Sequence, residues 1–314
     1  MKIVYMGTPD FSVYSLERIF ECRDFSIELV VTQPDRPGGR GQKLQPSPVK
    51  IRAEELGLKV FQTDNVNKDD FIEVLKEIAP DVVVVVAFGQ KLGPVVLNTP
   101  VKGCVNLHAS LLPEYRGASP IHQAILDGRE LTGVTTMYMA EGWDTGDIIY
   151  MREVRIEPED TVGTLHDKLA EIGADLLVKT LQDIKKGTAP RTEQDHTRAT
   201  YTRKVDKTTG KIDWKASAQT IYNQVRGTNP WPGAYTYYQG EILKIWKTRI
   251  RDDYHPSTPQ NAGVILNADS KNGLLVQTGD GIIEIEELQL SGRKKMSVKD
   301  FLHGYTIKTG EEFA

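Results

Sequence analysis

Three side chains in two short stretches of the sequence could carry out acid–base and acyl-transfer chemistry. The first stretch, residues 105–121, reads VNLHASLLPEYRGASPI and places Asn106 and His108 two positions apart. The second, residues 141–147, reads EGWDTGD and sets Asp144 between two glycines. An imidazole exchanges a proton near neutral pH, a carboxylate can orient it, and an amide can donate to an oxygen that becomes negative. This combination predicts acyl transfer in which the nucleophile belongs to the substrate.

These side chains need strands that end at one edge of a sheet. Residues 103–108 read as a strand, so Asn106 and His108 point to the same face. Further apolar runs are typical of buried parallel strands separated by helices, at 2–6, 27–32 and 81–87. Open α/β sheets place their chemistry at the carboxyl ends of such strands. We therefore predict an α/β fold with a Rossmann-like, mostly parallel sheet, although spacing alone leaves a structural role for His108 open.

The last third of the chain has a different pattern. A helical stretch at 214–226 is followed by five short strands with Gly, Asn or Asp turns, at 234–238, 242–250, 263–267, 274–278 and 282–290. This pattern predicts a carboxy-terminal small β-barrel domain, OB-like in form. Residues 190–204 lose apolar periodicity and read as a linker. We predict a catalytic domain over 1–189, this linker, and a barrel domain over 205–314.

The composition is that of an ordinary globular protein. Of the 314 residues, 39 are Lys or Arg and 43 are Asp or Glu, a formal net charge of −4, and 39% are hydrophobic. The negative charge argues against a generally basic nucleic-acid coat protein but leaves a local basic patch open. The N-terminus does not read as a secretory signal, and the longest apolar run, 82–88, is too short to span a bilayer. We expect a cytoplasmic enzyme without a membrane partner.

Cysteine usage argues against a disulfide framework and against a metal site. The chain has two cysteines, Cys22 and Cys104, and neither belongs to a CxxC pair. We therefore expect no metal. Cys104 precedes Asn106 by two positions on the predicted strand, so we expect it to be a buried structural thiol.

Residues 33–50, QPDRPGGRGQKLQPSPVK, form an unusually long and basic connection. The stretch holds four prolines and three glycines, and it is longer than an ordinary strand-to-helix loop. One interpretation is a solvated insertion. The other is a mobile loop that grips a polyanion through Arg36, Arg40 and Lys43.

The stretch NLHASLLPEYRGASPI with a downstream DTGD resembles the 10-formyltetrahydrofolate-dependent formyltransferases. The resemblance implies that Asn106, His108 and Asp144 are the catalytic trio. It also implies a set of residues beside the folate cosubstrate, 10-formyltetrahydrofolate: Ser110, Leu111, Leu112 and Pro113, with Phe88 and Gly89 beside the pterin ring.

Three further motifs are similar to the members of this family that act on methionyl-tRNA. They are RPGGRGQK at 36–43, NPWPG at 229–233 and KIWK at 244–247. The resemblance implies transfer to the α-amino group of methionine on initiator tRNA, with tRNA contacts at Arg36, Arg40 and Lys43 and a barrel that helps to bind the tRNA. A monomer suits such a two-domain enzyme.

Other functions stay open at this point. The same chemistry with a small acceptor, a nucleotide sugar or a ribonucleotide, would not need the barrel. A folate- or RNA-binding module without catalysis would not need the trio. A dehydrogenase is poorly supported because the first turn has only Gly7 of a GxGxxG pattern. Four cations along the strand at 242–250 and just after it predict either a solvated face or an RNA contact: Lys244, Lys247, Arg249 and Arg251.

Overall fold

The protein is represented by a computed structural model, which describes residues 1–38, 41, 43–256 and 260–314. By their internal contacts these residues divide into two compact units. The first unit comprises Met1–Pro120, Leu131–Arg155 and His166–Thr202. The second comprises Ile121–Glu130, Ile156–Leu165 and Arg203–Ala314.

A seven-stranded sheet forms the centre of the first unit. The strands of this unit, including four short ones outside the sheet, are β1 (Lys2–Gly7), β2 (Ser26–Thr32), β3 (Arg36–Gly38), β4 (Lys43–Gln45), β5 (Val60–Gln62), β6 (Val82–Val86), β7 (Cys104–His108), β8 (Arg116–Gly117), β9 (Leu131–Tyr138), β10 (Ile148–Arg155) and β11 (Tyr201–Thr202). The order across the sheet is β10-β9-β7-β6-β1-β2-β5. The five neighbouring strands β7, β6, β1, β2 and β5 run parallel to one another. Strand β9 pairs antiparallel with β7, and β10 pairs antiparallel with β9. The predicted Rossmann-like, mostly parallel sheet is confirmed.

Helices connect the parallel strands because each crossover must return the chain to the same end of the sheet. The helices of the chain are α1 (Asp10–Glu21), α2 (Pro48–Glu55), α3 (Asp69–Ile78), α4 (Pro94–Asn98), α5 (Pro120–Leu126), α6 (Val162–Lys186), α7 (Ala218–Gly227) and α8 (Val298–Gly304). The five valines of β6 are all buried, as expected for a central strand covered on both faces. Ser47 caps α2 by accepting from the backbone of Lys50.

The connection at residues 33–50 contains more regular structure than its sequence predicts. Strands β3 and β4 pair as a short antiparallel hairpin, with Arg36 opposite Gln45 and Gly38 opposite Lys43. Proline is tolerated here because Pro37 lies in an edge strand of a two-stranded ribbon. Arg40 lies outside the described residues.

The second unit is built on an antiparallel sheet, which confirms the predicted carboxy-terminal β domain. Its strands are β12 (Ala234–Tyr238), β13 (Glu241–Ile250), β14 (Ile265–Asp269), β15 (Gly273–Gln277), β16 (Ile282–Leu290) and β17 (Met296–Ser297). Their order is β12-β13-β16-β15-β14, with β17 beside β16. One face packs on α7 and α8 around a shared hydrophobic core.

Helix α7 begins four residues later than the sequence pattern predicts. Ser217 caps it by accepting from the backbone of Thr220, so the helix starts at Ala218. Trp214, predicted as the first helical residue, instead lies in the core and donates its indole N–H to Thr236. The indole needs a hydrogen-bond partner when buried, and that partner lies on β12.

No helix in the described part of the chain is long and apolar enough to span a membrane. No group of three or more His, Cys, Asp or Glu side chains in the same residues is arranged to hold a metal ion.

The two cysteines differ in exposure and should differ in reactivity. Cys104 is buried in β7, and this burial raises the pKa of its thiol to about 12. Because the thiolate is the reactive form, a disulfide reagent at pH 8 should modify Cys22 in the native protein and Cys104 only after unfolding in urea. Absorbance of the thiol released from the reagent measures the reaction rate of each cysteine, before and after unfolding. Cys104→Ser should keep the fast reaction, and a fast native reaction in Cys22→Ser would contradict the assignment.

Candidate active site

Strand β7 carries two of the three residues predicted to be catalytic. Asn106 and His108 lie on one strand between β6 and β9, and both are buried, with 8% and 7% of their surface exposed. On the neighbouring strand, Met137 is opposite Asn106 and Thr135 is opposite His108. The alternation of the strand therefore puts the amide and the imidazole on the same face, as the sequence predicts.

The imidazole of His108 is oriented by a backbone carbonyl. Its Nε2 lies 2.9 Å from the carbonyl oxygen of Tyr115. A carbonyl can only accept a hydrogen bond, so Nε2 carries the proton and donates it. In the neutral ring Nδ1 is then the basic nitrogen, and Nδ1 is the atom that faces Asp144.

Asp144 lies in a tight turn between β9 and β10. Its backbone is left-handed, with φ of +53°. That conformation costs about 1–2 kcal/mol for a residue with a side chain. Gln194 Nε2 donates to the carbonyl oxygens of Asp144 at 2.9 Å and of Gly146 at 2.7 Å. At about 0.5–1.5 kcal/mol each, two such bonds are large enough to offset the strain.

Gly146 is required in this turn by close packing. A Cβ at this position would overlap the carbonyl oxygen of Tyr138, the last residue of β9. A backbone oxygen cannot move aside as the end of a flexible side chain can. The glycine that the sequence shows after Asp144 therefore serves the close approach of two backbone segments.

The carboxylate of Asp144 has two neighbours that matter for chemistry. Its Oδ2 accepts from the backbone N–H of Gly117 at 2.8 Å and lies 3.8 Å from His108 Nδ1. The second distance is longer than a hydrogen bond but close enough to stabilise a positive charge on the ring. The three side chains named from the sequence are therefore brought to one place, arranged for proton exchange next to an amide donor.

The segment Ser110–Pro113, predicted to contact the folate cosubstrate, is held in place through hydrogen bonds to its backbone groups. Thr135 Oγ1 donates to the carbonyl oxygen of Ser110 at 2.6 Å and accepts from Leu112 N at 3.2 Å. The Ser110 hydroxyl donates to the carbonyl oxygen of Glu114. Ser110 and Leu112 are buried, whereas Leu111 and Pro113 remain partly exposed. Side-chain contact with a ligand is therefore open to Leu111 and Pro113.

Phe88 and Gly89, the second predicted folate segment, lie in the turn after β6, separated from the strand by Ala87. The Phe88 ring is 1% exposed and packs in the core, so it has no surface to offer a ligand. Its carbonyl oxygen accepts from Gln33 Nε2 at 2.8 Å. Gly89 has a φ of +78°, which a glycine adopts at little cost. Any contact with a ligand at this turn would involve backbone atoms.

Two of the three predicted tRNA-contact residues lie in the described hairpin. Arg36 donates to the side chain of Gln33, and Lys43 is exposed. Within the part of the chain that the structure describes, neither has a carboxylate at ion-pair distance, whereas Lys50 pairs with Asp35 at 3.0 Å. The hairpin therefore presents positive charge to solvent.

Sequence reasoning did not identify three partners of the trio: the Tyr115 carbonyl, the Gly117 N–H and the Gln194 side chain. The first two are backbone groups, which any residue type would supply, so composition carries no signal for them. Gln194 lies in the predicted linker among charged residues. The one signal available in the sequence was an uncharged, long polar side chain between Glu193 and Asp195, which indicates a residue that can be buried with hydrogen-bond partners.

Comparisons with known proteins agree with this geometry. The family model of the formyl transferase matches residues 1–181, and that of the formyl transferase C-terminal domain matches residues 204–306. A methionyl-tRNA formyltransferase of Halothermothrix orenii is 56% identical over 317 residues, which cover 99% of this chain and 99% of that protein.

Two solved structures share the fold. An N-formyltransferase from Helicobacter canadensis, in complex with folinic acid and dTDP-3-aminofucose, is 20% identical with a TM-score of 0.65, over 91% of this chain and 98% of that chain. HypX from Aquifex aeolicus, in complex with tetrahydrofolic acid, is 16% identical with a TM-score of 0.61, over 96% of this chain and 47% of that chain. The resemblance drawn from the NLHASLLPEYRGASPI motif is confirmed by the family models and by the full-length relative. The chain belongs to the formyl transferase family.

Proposed function

We propose that this protein transfers the formyl group of 10-formyltetrahydrofolate to the α-amino group of methionine on initiator methionyl-tRNA. The observation that carries this proposal is the likeness to methionyl-tRNA formyltransferases along the whole chain, at 56% and 48% identity over 99% of its length. The likeness includes the carboxy-terminal unit, so it supports the tRNA acceptor as well as the formyl-transfer chemistry.

The residues near His108 fit a folate cosubstrate. The Asn106 carboxamide has no hydrogen-bond partner among the described residues, although it is 8% exposed. A buried donor without a protein partner is suited to an oxygen of a bound substrate. Leu111 and Pro113 offer partly exposed apolar surface on the adjoining loop, which suits a flat ring system.

Bound as cosubstrate, the folate supplies the formyl carbon that the methionine amine attacks. A bond forms between the amine nitrogen and that carbon, the bond from the carbon to folate N10 breaks, and one proton passes from the amine to N10. The Asn106 carboxamide would donate to the formyl oxygen as it gains negative charge. One such donor is worth about 3–4 kcal/mol in comparable sites.

His108 and Asp144 would carry the proton between the two nitrogens. Because His108 Nε2 is engaged by the Tyr115 carbonyl, Nδ1 is the nitrogen that can accept the amine proton. The resulting imidazolium would be stabilised by Asp144 Oδ2, now 3.8 Å away. Gly117 N–H holds that carboxylate in place, so the pair needs little rearrangement.

The tRNA would meet positive charge on the first unit. Arg36 and Lys43, the two exposed cations of the hairpin that lack an ion-pair partner in the described ranges, are free to contact phosphates. Arg40, predicted as a third contact, lies outside the described residues and stays a prediction.

Most of the cations along β13, and Arg251 just after it, are neutralised by carboxylates of β16 and so contribute little to an RNA surface. Arg249 pairs with Glu284 at 2.7 Å and with Glu286 at 3.5 Å, and Arg251 also pairs with Glu284, at 3.0 Å. Lys247 pairs with Glu286 at 3.2 Å. Carboxylates placed among these cations would oppose a polyanion.

Lys244 differs from its neighbours on β13. Within the residues described, it has no carboxylate at ion-pair distance, and its Nζ lies 5.3 Å from the centre of the Trp246 ring. Tyr235 is opposite it on β12 and makes an edge contact with Tyr237 at 5.9 Å. Lys211 Nζ lies 5.7 Å from the Tyr237 ring. On β12 and β13 the members of this group alternate with buried residues, and Lys211 lies beside them. We call the group the aromatic–lysine face; it consists of Lys211, Tyr235, Tyr237, Lys244 and Trp246.

The aromatic–lysine face combines what RNA binding requires. Aromatic rings stack on bases or riboses, and unpaired lysines attract phosphates. We therefore assign the tRNA contact of the second unit to this face rather than to the paired cations of β13. The predicted domain boundaries, the cytoplasmic location and the monomeric state stay predictions.

The function is tested by formyl transfer from 10-formyltetrahydrofolate to methionyl initiator tRNA. Uncharged tRNA and small amines, such as an amino-sugar nucleotide and a ribonucleotide amine, serve as alternative acceptors. We expect transfer to the charged initiator tRNA alone. Transfer only to a small acceptor would retain the chemistry and overturn the tRNA proposal.

Two members of the catalytic trio are tested by His108→Ala and Asp144→Ala. Each should lower kcat by roughly 100-fold or more because proton transfer is lost, with the Kd for tRNA kept within about threefold. Single-turnover kinetics and filter binding measure the two quantities. His303→Ala removes an exposed histidine and should match wild type. Retention of turnover within about tenfold in either trio variant would reject the assignment.

The aromatic–lysine face is tested by a matched pair of substitutions on β13. Lys244→Gln should weaken tRNA binding several-fold and reduce the dependence of log Kd on log salt by about one phosphate contact. Arg249→Gln removes an exposed cation that is already paired, and should change neither. Titration at several salt concentrations measures both, and a larger effect of Arg249→Gln would contradict the assignment.

A further inference from the structure

The side chain of Gln194 joins the Asp144 turn to a buried arginine. Its Nε2 donates to the carbonyl oxygens of Asp144 and Gly146, and its Oε1 accepts from Arg116 Nε at 3.2 Å and Nη2 at 2.6 Å. Only 4% of Gln194 is exposed. Because a guanidinium only donates and a carbonyl only accepts, these partners permit one orientation of the amide.

Arg116 is buried without a counter-ion. It is 1% exposed, and no carboxylate lies at ion-pair distance from it within the described ranges. Its other N–H groups donate to Tyr201 Oη at 3.2 Å and to His196 Nδ1 at 3.0 Å, so the guanidinium donates only to neutral acceptors among the described residues. A buried charge without a partner of opposite sign is costly, which argues that the guanidinium serves a purpose that packing alone does not.

The position of Arg116 in the chain suggests that purpose. Its two neighbours hold the catalytic pair through their backbones: the Tyr115 carbonyl accepts from His108, and the Gly117 N–H donates to Asp144. The Arg116 side chain reaches the same turn by a second route, through Gln194. One three-residue segment thus holds the imidazole, the carboxylate and the backbone that carries the carboxylate.

We propose that Gln194 and Arg116 are positioning residues for formyl transfer, which keep Asp144 in the left-handed backbone conformation that aims its carboxylate at His108. The effect on catalysis rests on the proposed function, whereas the effect on the turn does not. Neither side chain needs to touch a substrate. Gln194 acts on Asp144, and Arg116 acts on Gln194; we call these two side chains the clamp.

The clamp is tested with Gln194→Glu, which keeps the size and the contact with Arg116 but replaces the NH2 group, the source of both donated hydrogen bonds, by one carboxylate oxygen that repels the turn carbonyls. We expect kcat for methionyl-tRNA to fall about 100-fold with both KM values within about threefold, since misplacing a reacting group lowers turnover rather than binding. Glu193→Gln, at an exposed neighbour, is the matched control and should match wild type.

A double-mutant cycle separates positioning from general destabilisation. If Gln194 acts through Asp144, then adding Gln194→Glu to Asp144→Asn should cost less than about threefold in single-turnover rate. Multiplication of the two single losses would overturn the proposal, as would a Gln194→Glu rate within about threefold of wild type. An inactive wild type would instead reject the proposed function.

Hydrogen exchange tests the clamp without any activity. Gln194→Glu should speed exchange of the Tyr138 and Ile148 amides, which donate to the carbonyls of Asp147 and Thr192 where the turn meets β9 and β10, by about tenfold or more. The amides of β7 should be unchanged. Unchanged protection of Tyr138 and Ile148 would overturn the proposal whatever the enzyme acts on. Should Gln194→Glu not fold, Gln194→Met, which has similar length and no donor, is measured in the same way.

Discussion

The peptide groups of residues 115–117 hydrogen-bond both His108 and Asp144, so the proposed chemistry depends on where this segment lies. The Tyr115 carbonyl selects the ring nitrogen that carries the proton, and the Gly117 N–H holds the carboxylate. Backbone groups are suited to this task because they lack the rotational freedom of side chains. The segment itself is held by pairing of β8 with β11. A Cβ on Gly117 would lie 2.7 Å from the Thr202 carbonyl oxygen, so that pairing requires glycine.

The loop before this segment shows how one hydroxyl can organise a site. Thr135 lies opposite His108 on β9 and makes hydrogen bonds to both ends of the Ser110–Leu112 turn. Strand β9, the antiparallel neighbour of β7, therefore contributes to the site as well as to the sheet. It supplies a donor and an acceptor at the level of the site, where the parallel strands end, and it leads directly into the turn that carries Asp144.

In the second unit, the electrostatic surface depends on pairing between strands. Lys247 and Arg249 of β13, with Arg251 just after it, suggest a basic stripe when this part of the sequence is read alone. Glu284 and Glu286 on β16 lie among them and offset their charge. Lys244 escapes this pairing because its neighbour in the register is Gln289, a neutral residue. The positive charge available to a polyanion is thus smaller than the count of cations, and it lies beside aromatic rings.

Local sequence determined much of this protein. The valine run of β6, the two-residue spacing of Asn106 and His108, and the glycines around Asp144 each predict local structure through period, burial or backbone freedom. The motif NLHASLLPEYRGASPI with the downstream DTGD identifies the family. The pairing of β3 with β4, the burial of Trp214, and the Arg116–Gln194 contact were decided by tertiary structure. In each of the last two cases the deciding partner is distant in sequence: Trp214 bonds Thr236, and Gln194 bonds Arg116, Asp144 and Gly146. A pattern along the chain records which residues are apolar, but a buried polar side chain acquires its role from partners that only the folded chain brings within hydrogen-bond distance.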